Sequence, residues 1–158
     1  MFIRFKNYRV SFVEKIGETG FKTSIYEGSK KVASAEREDG HTNIEDIVVT
    51  FLNKNTEKEL RKMTINKKRV YIDNIEQEWT PSLITYCLME NKHIYEEIKK
   101  LLQSNKMVVK FKGQDYFSVV SGLKNNPESL QILKRKRGYE IDITGNELVQ
   151  FYEEMRKV

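Results

Sequence analysis

The sequence predicts an α/β domain of the α+β kind, in which a mixed sheet opens with an antiparallel three-strand meander and carries helices packed on it. Residues 8–36 alternate apolar and polar side chains in short runs divided by glycine-bearing turns, the pattern of half-buried strands. Thr42, Thr56 and Thr144 are each followed three positions later by Glu, the spacing of a helix capping box. Two further apolar runs, around residues 70 and 109, lie between helical patterns and read as later strands.

Taken in order, Tyr8, Val10 and Phe12 alternate with Arg9, Ser11 and Val13 as a first strand, and residues 2–5 either extend it or fray. Gly17 and Gly20 sit in the turn that follows. Phe21 to Tyr26 and Val32 to Glu36 make the next two strands, joined through Gly28 and Ser29. Ile44, Ile47, Val48, Phe51 and Leu52 fall on one helical stripe behind the Thr42–Glu45 box, so a helix is expected there. Thr56 and Glu59 predict a short helix, or a continuation, over residues 57–63.

Arg69 to Asp73 is a compact strand. Thr80 before Pro81 gives an N-cap with proline at the first helical position, and Trp79 is placed to staple onto Ile84. The helix that follows carries Ile84, Cys87, Leu88, Ile94, Tyr95, Ile98, Leu101 and Leu102, with a break expected near Asn91. Met107 to Phe111 forms a strand, and residues 115–123 fit a strand and a helix equally well. Asn126 and Pro127 open a helix bearing Leu130 and Leu133 and closed by Gly138. Tyr139 to Ile143 alternates as a strand before the Thr144–Glu147 box starts a last helix ending near Lys157.

At 158 residues and 39% hydrophobic content the chain suits one core, and a single domain over residues 1–158 is expected. Net charge is +5, and residues 1–79 and 80–158 carry +2 and +3, so the basic excess is not confined to one half. One cysteine, Cys87, excludes an internal disulfide and a zinc site of the usual cysteine-rich type. No apolar run nears the ~20 residues of a membrane span, and Met1 to Lys6 lack the apolar core of a signal peptide. A cytoplasmic protein with no membrane partner is therefore expected. The wealth of Lys, Asn, Ile and Glu fits an AT-rich genome.

Three antiparallel strands, helix, strand, helix, strand and a C-terminal helix is an order that resembles the ribonuclease H-like fold. Asp73 at the end of the fourth strand, Lys112, Gly113 and Gln114 after the fifth, and Gly145, Asn146 and Glu147 in the last helix are similar to that family's motifs. The resemblance implies two-metal hydrolysis, which needs several carboxylates converging on cations ~4 Å apart. Those carboxylates are incomplete here. The first strand offers Val10, Ser11 and Phe12 with Glu14 only at its end, position 47 is Ile, and position 150 is Gln. A nuclease would have to rely on Asp73 and Glu14 with Glu76 or Asp115.

Other chemistry is thinner still. His41 and His93 have no second ligand at metal spacing, and Cys87 lies among apolar neighbours as a buried thiol. No phosphate-loop pattern follows Gly17 or Gly20. No cofactor and no metal is expected. The basic run Lys134, Arg135, Lys136 and Arg137 ends a helix, where cations meet the macrodipole, and equally suits phosphate or an acidic partner. Lys67, Lys68 and Arg69 would extend it. The expectation is a non-catalytic binding or inhibitor protein, of the accessory kind that phages and mobile elements encode, acting on a protein or nucleoprotein. Direct nucleic-acid binding by the basic helix end and a divergent nuclease are the alternatives.

Overall fold

In the computed structural model, which describes residues 7–65, 70–72, 75–136 and 138–157, the chain divides into two units at Met89 and Glu90. The content is α+β, as expected, and the N-terminal meander is antiparallel. Among the described residues every strand ladder is antiparallel, where a mixed sheet was expected. A parallel pair needs a long crossover, usually a helix, and the segment expected to supply the first crossover helix is a strand.

The first unit is built on β1 (Tyr8–Val10), β2 (Glu14–Ile16), β3 (Gly20–Glu27), β4 (Lys30–Arg37) and β5 (Val48–Phe51). They run in the order β1-β3-β4-β5, with β2 also paired to β3. Gly28 adopts φ +59 in the two-residue β3–β4 turn, a conformation that a side chain would strain. The first strand breaks over residues 11–13, because hydroxyls take over the ladder. Ser24 N–H donates to Ser11 Oγ at 3.3 Å, and the Thr23 hydroxyl donates to the Phe12 carbonyl at 3.2 Å.

Residues 44–52 correct the expected helix. Only Ile44–Asp46 turn, as one 3-10 turn whose Asp46 carboxylate accepts from Asn43 N–H at 3.1 Å. Val48, Val49, Thr50 and Phe51 then pair with Glu36, Ala35, Ser34 and Ala33 of β4. β-Branched and aromatic residues suit a pleated surface, and the ladder satisfies their backbone groups without a helix.

Helix α1 (Lys54–Ile65) starts from Asn53, whose side chain accepts Thr56 N–H at 2.8 Å. A hairpin of β6 (Val70–Ile72) and β7 (Ile75–Gln77) follows, and then α2 (Pro81–Gln103). The inner face of the sheet supplies Val10, Phe21, Ile25, Ala33 and Ala35 to a core completed by Leu60 of α1 and Leu83, Ile84, Cys87 and Leu88 of α2. Full burial of each large side chain contributes roughly 1.5–3 kcal/mol. The Thr80 cap is present, with Leu83 N–H donating to its hydroxyl at 3.1 Å, and Trp79 packs on the same core. No break occurs near Asn91, which is buried inside a continuous α2.

The second unit places β8 (Lys106–Phe111) between β10 (Ile141–Thr144) and β9 (Ser118–Lys124). The ambiguity over residues 115–123 thus resolves as a strand. Met107 and Val109 join Leu133 of α3 (Pro127–Arg135), whereas Val108 joins Tyr95, Ile98, Leu148 and Tyr152 from α2 and α4 (Gly145–Met155). A strand covered on both faces reads as a continuous apolar run. Asn126 caps α3 through Ser129 N–H at 2.8 Å, and the Thr144–Glu147 box starts α4.

Candidate functional site

β5 ends its sheet, so among the described residues one side of the strand has no partner strand. Leu52 N–H donates to the Val32 carbonyl at 3.0 Å. Bonded and non-bonded pairs alternate along an antiparallel ladder, so residues 48, 50 and 52 turn their backbone groups toward β4. Val49 and Phe51 therefore turn theirs to the open edge, about 6.8 Å apart along the strand.

That edge opens onto a groove of about 570 Å³ lined by residues 49–53 of the strand and its exit, by Lys54, Glu57 and Arg61 of α1, and by Pro81 and Ser82 of α2. Ser82 donates its hydroxyl to the Ile47 carbonyl at 2.8 Å and thereby closes the near end. Arg61 is engaged with Glu57 at 2.9 Å. Lys54 is exposed and makes no ion pair among the described residues. On the sheet's outer face Val48 and Leu52 are 59% and 60% exposed, with Thr50 between them.

A second cavity of about 340 Å³ lies beside Tyr8, Glu27, Lys30, Asn53 and Glu59. Burial chiefly, and then Glu27 and Glu59, push the Tyr8 hydroxyl above the usual tyrosine range, so it stays neutral and a hydrogen-bonding group.

The described residues among those singled out from the sequence lie on α3, β2, β7 and the loop after β8. Lys134 and Arg135 form the last turn of α3 and Lys136 its C-cap, all three exposed. Arg137, Lys67, Lys68, Arg69 and Asp73 lie outside the described residues. Glu14 opens β2 and Glu76 is central in β7, both exposed and both in the first unit; Asp115 is exposed in the loop after β8 in the second. Among the described residues no three His, Cys, Asp or Glu side chains are grouped to hold a metal. Position 47, an Ile, is buried in the first core, and Gln150 donates to Glu154 at 2.9 Å. Glu147 is occupied as a cap. His41 lies 3.5 Å from Asp46 and His93 3.6 Å from Glu97, and Cys87 is buried.

Sequence reasoning missed the β5 edge because it assigned those residues to a helix. The available signal was the uncharged run Val48 to Leu52, rich in strand-forming residues. No helix among the described residues is long and apolar enough to cross a membrane. No family model, curated protein or solved structure matches the chain.

Proposed function

We propose that the protein acts by binding, and that it takes an extended polypeptide segment of another protein as an added strand along β5. The observation that carries this reading is the pair of outward backbone groups at Val49 and Phe51 beside the groove. A peptide backbone in extended form repeats its donors and acceptors at the same ~6.8 Å spacing and is the natural complement.

Edge strands are commonly blunted by lysine, proline or a bulge. β5 has none of these, since Val48 to Leu52 is an uncharged run paired in regular register. Such an edge is an aggregation hazard unless it is used. The helical wall of Lys54, Glu57 and Arg61 selects a lone segment, because a second copy would bring its own α1 to the same edge. Val48 and Leu52 favour apolar or β-branched neighbours on the outer face, and Lys54 favours an acidic residue at that end of the segment.

Selection from a random peptide library, followed by amide hydrogen exchange, tests this. Bound peptides should protect the Val49 and Phe51 amides, while the Thr50 and Leu52 amides, bonded to β4, are protected before peptide is added. Peptides that bind without protecting Val49 and Phe51 would sink the proposal. So would concentration-dependent protection of those amides by the protein alone, which would make a second copy the occupant.

A further inference from the structure

We infer that the end of α3, together with Tyr139, is a contact surface for single-stranded nucleic acid. This surface belongs to the second unit and does not depend on strand addition at β5. Lys134, Arg135 and Lys136 are consecutive, exposed, and without an ion pair among the described residues. The carboxylates of the chain that follows are already matched, Glu140 with Lys112 at 2.7 Å and Asp142 with Lys110 at 2.5 Å. Asp115 is the further exposed carboxylate of the loop after β8. The cations of the α3 end are thus left to face an external anion.

A helix terminus accounts for part of this arrangement only. The macrodipole favours cations within the last turn, but three successive residues at about 100° each fan over about 200° of the helix. They cannot all converge on the last carbonyls. A fan of cations suits a chain of phosphates that passes across it.

Tyr139 supplies what distinguishes nucleic acid from an acidic polypeptide. Tyr139 is 53% exposed and its ring is braced on Phe111, with centroids 5.2 Å apart at 51°. Three residues of chain reach at most about 11 Å, so the Cα atoms of Tyr139 and Lys136 lie within that distance. An aromatic ring beside a track of cations is the combination that stacks an unpaired base while its phosphates are held. In a duplex the base faces are covered by their neighbours, so the single strand is the form that fits.

The full-length protein should be titrated into fluorescent oligo(dT), oligo(rU) and a matching duplex, between about 50 and 200 mM salt. Single strands should bind more tightly than duplex. Joint replacement Lys134→Gln, Arg135→Gln and Lys136→Gln should weaken single-strand binding roughly ten-fold or more at the lower salt. It should also make the slope of log affinity against log salt shallower by about 2, at ~0.7 per lost phosphate contact. Tyr139→Leu keeps an apolar side chain on Phe111 and should lower affinity roughly five-fold with the slope unchanged, whereas Tyr139→Phe should bind as wild type. Thermal melts matching wild type verify that each variant is folded. Absence of single-strand binding, equal or tighter duplex binding, or an unaltered slope in the triple variant overturns the inference. Poly-glutamate competing as well as oligo(dT), with Tyr139→Leu silent, overturns it in favour of an acidic polypeptide.

Discussion

Asp39 clasps Thr19: its carboxylate accepts the Thr19 backbone N–H at 3.0 Å and the Thr19 hydroxyl at 3.2 Å. The contact joins the turn before β3 to the loop after β4. Gly40 N–H donates to the same hydroxyl at 2.8 Å, and the Arg37 guanidinium donates to the Thr19 carbonyl at 2.8 and 3.2 Å. Asp39 therefore ties two strand ends together.

The Thr19 N–H chiefly, with the Glu18 and Gly40 N–H groups and the Thr19 hydroxyl, holds the Asp39 carboxyl below its usual range against a smaller opposing effect of desolvation. A carboxyl whose folded pKa is depressed contributes its full stabilisation above the unfolded pKa, near ~4, and loses it as pH falls through the depressed value. Asp39→Asn is expected to melt lower than wild type at neutral pH and to show a flatter decline below about pH 4. Melting temperatures followed from neutral to acid pH check this, and parallel curves for the two proteins would refute it.

Thr144→Ala should cost about 1 kcal/mol. The Thr144 hydroxyl accepts Glu147 N–H at 3.2 Å, and the Glu147 carboxylate accepts Thr144 N–H at 2.7 Å, so the substitution opens one arm of the box. Denaturant midpoints measure the loss, with Thr144→Ser expected to retain most of the cap.

Gly145→Ala should destabilise the second unit although alanine is the better helix former. A methyl at Gly145 would lie 3.0 Å from Ile98 Cγ2, 3.1 Å from Val108 Cβ and 3.3 Å from Leu102 Cδ2. Ile98 and Val108 are buried, and Val108 Cβ is fixed by its strand, so the neighbours have little room to give. Overpacking of this kind costs about 1–3 kcal/mol, against at most about 1 kcal/mol gained in helix propensity. A denaturant midpoint above wild type would show that α4 shifts to make room.

Val48→Lys with Leu52→Lys tests the use of the β5 edge. Both side chains are exposed, so stability should move by no more than about 0.5 kcal/mol, while binding of a selected peptide should fall and solubility should rise. Peptide affinity unchanged in the double variant would place the binding surface elsewhere.

The sequence by itself determined the elements whose signals are local. Thr80, Asn126 and Thr144 cap the helices they were expected to cap, and Gly28 turns the hairpin it was expected to turn, because caps and turns are settled by groups within four residues of one another. It also showed the basic run of the α3 end, since three adjacent cations are visible in any fold. Tertiary structure decided residues 44–52. Ile44, Ile47, Val48, Phe51 and Leu52 satisfy the helical period, but β4 presents Ala33 and Ala35 in register with Phe51 and Val49, and the ladder wins over the stripe. The candidate site was hidden for the same reason. Whether Val49 and Phe51 have free backbone groups depends on β5 standing last in its sheet, and strand order is set by pairings between residues far apart in the chain, which no local pattern of side chains records.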